Sequence, residues 1–173
     1  MPKKALIIID MLRDFIPKDG ALYCGTAGEK IVSFIKAKAE ETRNSGGVVI
    51  YITDSHKPND PEFKMFARHA VKGTLGAEVI PELKPRRGDI VVPKPTLSSF
   101  YKTNLDDILK KNKVKEVDLV GVCTSICIMD TVGGLRVRGY PVTVYKKGVA
   151  DFDQRMAKMA LERMRKTYGA EVI

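Results

Sequence analysis

The sequence has no tryptophan, and only two of its 173 residues are histidine and three cysteine. It has no uninterrupted apolar run near the ~18 residues of a membrane-spanning helix, which excludes a membrane span and a membrane partner of that kind. The N-terminal stretch begins with two lysines and a short apolar run, but Asp10 and Arg13 interrupt it. The run is too short for a signal-peptide core, and no small-residue cleavage site follows. Three cysteines, Cys24, Cys123 and Cys127, cannot close a disulfide framework, and an odd count suits a reducing compartment. A cytoplasmic location is therefore expected. Repeats and low-complexity segments are also missing.

What is present describes a folded chain. The hydrophobic fraction of 44% is too high for disorder. A chain of this length buries roughly two-thirds of its unfolded surface and needs no disulfide or metal to fold. One domain over residues 1–173 is expected. The net charge of +9 comes from 30 Lys+Arg against 21 Asp+Glu. Such a charge would suit an anionic partner. The basic residues are dispersed, however, with mild clusters only at Lys110–Lys115 and Arg155–Lys166. A solvated basic surface explains this better than a nucleic-acid site. A basic nucleic-acid or anion-binding module on a degenerate enzyme fold is the reading of another class that this charge leaves open. Salt-sensitive retention on DNA with no catalysis would mark it.

Short apolar runs alternate with amphipathic stretches. Ala5–Ile9, Val48–Ile52, Asp89–Val92, Val117–Val122 and Tyr140–Tyr145 read as strands, with a short last one at Ala170–Ile173. Lys30–Arg43, a stretch near Leu105–Lys111, Ser125–Arg138 and Gln154–Lys166 read as helices. Strand–helix alternation predicts an α/β fold: a three-layer α/β/α, doubly wound, mostly parallel, Rossmann-like sheet. In such sheets ligands bind outside the carboxyl ends of the strands. That rule selects Asp10, Asp54 with His56, Lys94, and Cys123 to Cys127. The segment from about 55 to 85 has no clean period and is long for a connection, so it is expected to cover the active edge.

Cys127 falls in the predicted first turn of a helix, where free N–H groups and the helix dipole would lower a thiol pKa and could receive an oxyanion. Cys123 sits at the strand end. The plain alternative for both is a small buried hydrophobe. A thiol nucleophile needs a base; the candidates are Asp10 and the two histidines, with Lys94, held between Pro93 and Pro95, as the companion cation. Asp54, His56 and His69 supply a carboxylate and two imidazoles, a set suited to zinc or another divalent ion. A zinc-water hydrolase is the reading in which that metal makes the nucleophile.

Taken together, these segments resemble the isochorismatase-like cysteine hydrolase superfamily, which includes nicotinamidases and N-carbamoylsarcosine amidases. The likeness rests on Ile8-Ile9-Asp10-Met11 with Asp14-Phe15, on Asp54-Ser55-His56, Asp60-Pro61-Glu62-Phe63 and the His69–Glu78 stretch, on Lys94-Pro95 followed by Ser98-Ser99-Phe100-Tyr101, and on Gly121–Ile128. It implies an Asp10–Lys94–Cys127 triad attacking an amide or carbamoyl carbonyl through a thioester. It implies the N–H groups of Cys123 and Cys127 as oxyanion donors and a cis Val122–Cys123 peptide. No cofactor is required for the nucleophile; a divalent metal, zinc, on Asp54, His56 and His69 would orient the substrate. The expected partners are a small amide or ureide substrate and a second copy, as homodimer or homotetramer. Ser125 stands where nicotinamidases usually carry Asp, and no Trp is present to stack on a pyridine ring. Both features lean toward an N-carbamoylsarcosine amidase-like enzyme; Asp54, His56 and His69 lean toward a nicotinamidase. Phe15 and Phe100 are the expected substrate-binding aromatics, with Phe66 and Tyr101 as substitutes.

Overall fold

The computed structural model describes residues 3–173. The strands are β1 (Lys4–Ile9), β2 (Val48–Asp54), β3 (Ile90–Lys94), β4 (Glu116–Val122), β5 (Val142–Ala150) and β6 (Glu171–Val172). They form one parallel sheet in the order β3-β2-β1-β4-β5-β6. The helices are α1 (Gly25–Lys30), α2 (Val32–Asn44), α3 (Leu105–Lys111), α4 (Met129–Val137) and α5 (Gln154–Lys166). No helix among the described residues is long and apolar enough to cross a membrane.

The apolar runs arise because the central strands are buried on both faces. Ala5, Ile7 and Ile9 of β1 join one core with Val48, Ile50 and Ile52 of β2 and with side chains of α3, α4 and α5. Leu6 and Ile8 point the other way and join Val49, Tyr51 and α2 residues Ile35 and Ala39. The period-2 alternation of strand side chains thus divides one chain into two cores and gives three layers.

Several boundaries differ from the pattern reading. The helix predicted from Lys30 begins at Gly25 and is broken at Ile31. The helix predicted over Ser125–Arg138 opens as a π-turn, Thr124–Ile128, before α4. β5 runs on to Ala150, past the exposed Lys146-Lys147 pair that disguises its end. β3 reaches Lys94 through Pro93, which is tolerated because β3 is an edge strand. The 55–85 segment holds three 3₁₀ turns, a bridge within itself (His56 to Val71) and one to the turn after β1 (Leu12 to Val79) that holds it at the sheet's upper edge.

The order of the strands reverses between β1 and β4, and the crevice outside their carboxyl ends is where such sheets bind ligands. Gly121 lies at that reversal with φ 122°, and a Cβ there would come 2.1 Å from the Ile9 carbonyl oxygen. Only glycine allows β4 to pass so close to β1.

Candidate active site

Four side chains converge at the reversal point from four strand ends. Asp10 follows β1 with φ 51°, Asp54 ends β2, Lys94 ends β3 and Cys127 lies in the turn after β4. Asp10 and Lys94 are fully buried, and Asp54 and Cys127 nearly so. The Asp54 N–H donates to Asp10 Oδ1 at 2.8 Å, which fixes the first carboxylate. The Lys94 ammonium lies 3.0 Å from Asp10 Oδ2, donates to Asp54 Oδ1, and reaches Cys127 Sγ at 3.4 Å and the Thr96 carbonyl at 3.2 Å. Asp10 Oδ2 has no other hydrogen-bond partner, and ligand atoms of Asp10, Asp54 and Cys127 lie within 4.8 Å of one another.

One cation therefore serves two carboxylates and a thiol in a buried site. Burial and the neighbouring Asp54 raise the Asp10 carboxyl to about 6, against the pull of Lys94. Burial would lower Lys94, but Asp10, Cys127 and Asp54 together hold it well above its ordinary value. Burial would raise Asp54, but Lys94 and the two imidazoles hold it well below the carboxylate range. For Cys127 the expectation from helix position is reversed. Burial pushes the thiol well up, Asp10 and Asp54 push the same way, and Lys94 only partly opposes them. Burial and the two carboxylates thus favour the protonated form of this thiol, with ligand atoms of Asp10 and Asp54 within 4.8 Å of the sulfur.

Asp54 also faces the imidazole pair. Its Oδ2 lies 3.6 Å from both His56 Nε2 and His69 Nε2. The His69 Nδ1–H donates to the Ala67 carbonyl at 2.7 Å, which turns Nε2 toward Asp54. Both His56 ring nitrogens are buried without a hydrogen-bond partner, although Asp60 Oδ2 comes within 3.2 Å of Nδ1. Orphaned buried nitrogens beside a carboxylate fit a divalent metal, and this donor set suits zinc. Glu62, part of the loop segment that carries the resemblance but given no role there, lies 3.9 Å from His56 Nε2 and accepts from Thr96 Oγ1. The signal was Asp60, which accepts the Glu62 N–H and caps the 3₁₀ turn that swings Glu62 inward.

A small cleft opens above Cys127. Its walls are Phe15, Leu22, Phe66, Leu97, Ile126 and Phe152, with Cys123 and Cys127 at the floor and Asp54, Glu62 and His69 at one side. No lysine or arginine lines it. Phe15, Phe63 and Phe66 meet the His69 ring edge-on at centroid distances of 5.4, 5.7 and 6.2 Å. Phe15 thus lies in the cleft as the sequence suggested. Phe100 does not: its ring lies under the Arg138 guanidinium at 4.0 Å and against Gly134 of α4, where packing holds it. Tyr101 is exposed on the neighbouring groove. Phe152 was missed, because no periodicity fixes where loop side chains point.

The Val122–Cys123 peptide is cis. Cys123 Sγ touches Cys24 Sγ at 3.4 Å, a pairing across 99 positions that no local pattern reveals.

The isochorismatase domain model matches residues 4–173. The fold is similar to that of N-carbamoylsarcosine amidase from Thermoplasma acidophilum, with a TM-score of 0.89 and 37% identity over 98% of this chain and 95% of that one. It is similar to nicotinamidase PncA from Bacillus subtilis, with a TM-score of 0.92 and 30% identity over 98% of each. It is also similar to the pyrazinamidase of Pyrococcus horikoshii, solved in complex with zinc, with a TM-score of 0.93 and 29% identity over 99% of each.

Proposed function

The chain belongs to the isochorismatase family, and from that premise we propose that it hydrolyses the C–N bond of a small amide-type substrate through Cys127. The observation that carries this reading is the single buried ammonium of Lys94 in reach of Asp10, Asp54 and Cys127 at once.

In the proposed reaction Cys127 Sγ attacks the carbonyl carbon while its proton passes to Asp10 Oδ2. Lys94 holds the emerging thiolate and the carboxylate in register. The N–H groups of Cys123 and Cys127 are the proposed donors to the tetrahedral oxyanion. The nitrogen takes the proton from Asp10, the C–N bond breaks, and ammonia or an amine leaves a thioester. Asp10 then takes a proton from water, whose oxygen attacks the thioester. The acid departs and the thiol regains its proton. Zinc held by Asp54, His56 and His69, when bound, supplies a Lewis-acid contact that orients the substrate beside the thiol.

The likeness to the T. acidophilum amidase and Ser125 support the N-carbamoyl reading. The cleft supports the alternative, a nicotinamidase. N-carbamoylsarcosine carries a carboxylate, and a cleft whose lining has six apolar side chains, two carboxylates and no lysine or arginine offers that anion no cationic side chain to offset its desolvation. A neutral flat carboxamide would meet Phe15, Phe66 and Phe152 without that cost. Ammonia release measured on nicotinamide, pyrazinamide and N-carbamoylsarcosine tests both levels. The neutral carboxamides are expected to exceed N-carbamoylsarcosine by at least about 10²-fold in kcat/KM, as expected for leaving a charge unpaired. The reverse order overturns the substrate reading; no release from any amide or ureide overturns the hydrolase reading.

Zinc binding is a separate expectation. In equilibrium dialysis, His56→Ala or His69→Ala should weaken zinc by at least about 10²-fold, since each removes one of three ligands. Cys127→Ala should leave zinc binding unchanged. Equal affinity in all these variants would place the ion elsewhere.

A further inference from the structure

The turn that carries Cys127 is held by a residue the proposed chemistry does not use. Asp151 follows the last residue of β5, Ala150, which pairs with Val122 at the last rung of β4. Asp151 thus lies beside Cys123 at the sheet's upper edge. Its side chain is 1% exposed. Asp151 Oδ2 accepts two hydrogen bonds from one residue, the Ser125 N–H at 2.7 Å and the Ser125 hydroxyl at 2.8 Å. Oδ1 accepts the Asp153 N–H at 3.0 Å, and the Asp151 carbonyl accepts from Gln154 Nε2 at 2.8 Å. Asp153 in turn caps α5 by accepting the N–H groups of Arg155 and Met156. Among the described residues no lysine or arginine pairs with Asp151; all its donors are neutral.

Resting on the thiol-hydrolase reading above, we infer that Asp151, through Ser125, is the positioning residue that fixes the Thr124–Ile128 turn and so aims Cys127 at Lys94 and the substrate. A π-turn is a rare geometry, and here it has an external brace at its second residue. The same carboxylate sets the exit of β5, and the next residue, Phe152, lines the cleft. One buried group therefore ties the nucleophile's turn, a cleft wall and the start of α5 together. Position 125 suits serine because its hydroxyl can donate; an acid at 2.8 Å from a buried carboxylate oxygen would repel it.

The test compares Ser125→Ala, Asp151→Asn, Asp151→Ala and Ser125→Ala/Asp151→Ala. Two readouts are taken on folded protein: the rate of Cys127 alkylation by iodoacetamide, resolved by peptide mass, and kcat with KM on the best amide. Asp151→Ala should lower kcat about 10²-fold with little change in KM, the effect of a thiol displaced by roughly an ångström. Ser125→Ala should cost about tenfold, the loss of one hydrogen bond. Asp151→Asn, which keeps one acceptor, should fall between wild type and Asp151→Ala. The double variant should be no worse than Asp151→Ala, because both act through one brace. Alkylation of Cys127 should slow in the same order, as the sulfur leaves the lysine's reach. If Asp151→Ala does not fold, Ser125→Ala and Asp151→Asn decide. Alkylation within about twofold of wild type in both folded variants overturns the inference, and so does a fall in kcat without a fall in alkylation. The alkylation arm needs no substrate, so it fails or succeeds independently of the hydrolase reading.

Discussion

Replacing Cys127 by alanine should lower turnover of the best amide by at least about 10⁴-fold, the scale seen when a covalent nucleophile is removed. The protein should remain folded, because the change deletes one sulfur atom from a site whose ion pairs persist without it. Cys127→Ser should be nearly as poor. Asp10 is tuned to a carboxyl of about 6, too weak a base to deprotonate a buried alkanol. Steady-state rates, with circular dichroism as the folding control, check this. In the wild type a rapid burst of ammonia and a transient mass increase on the Cys127 peptide should accompany thioester formation. Full turnover by Cys127→Ala, lost on chelation, would mean that a metal-bound water attacks and the thiol is a bystander.

Replacing Lys94 by methionine should have the largest effect on stability as well as abolish activity. Lys94 is the cation within reach of Asp10 and Asp54, both buried. Without it two carboxylates share a dry site, at a cost of about 3–5 kcal/mol. For a chain of this size that lowers Tm by roughly 6–20 °C. The loss should also depend on pH. The uncompensated carboxyls would titrate above their unfolded values, so the folded state would bind more protons than the unfolded one. Stability would then fall as pH rises through the raised pKa values. The variant should melt higher at pH 5 than at pH 8, measured with chelator present. Adding Asp10→Asn should restore part of the stability and none of the activity, since it removes one charge and also the proton acceptor. A single variant as stable as wild type across this range would mean that water, not Lys94, compensates the carboxylates.

The depth of the site explains what the sequence could and could not reveal. β1, β2 and β4 are legible because strands buried on both faces lose the polar half of their alternation and become apolar runs. The ends of those runs pointed to Asp10, Asp54, Lys94 and the Cys123–Cys127 segment, because a parallel sheet sends every strand's carboxyl end to one edge. Their meeting follows from topology that the alternation of elements already encodes.

The surroundings of Cys127 were not legible. The sequence shows a helix start, which favours a thiolate; only packing shows that the sulfur is buried and faces two carboxylates, which push its pKa the other way. The aromatics divide in the same way. Phe15 and Phe100 look alike in sequence, yet one lines the cleft and the other lies beneath Arg138. Glu62 against His56, Cys24 against Cys123 and Ser125 against Asp151 are contacts between segments whose side-chain directions no local period sets. Alone, the chain's hydrophobic pattern determined the layers and the edge where polar groups gather, because burial acts on each strand locally. The charge state, wall and bracing of the site were decided only on folding, because solvent exclusion and contacts between distant loops exist only in the assembled molecule.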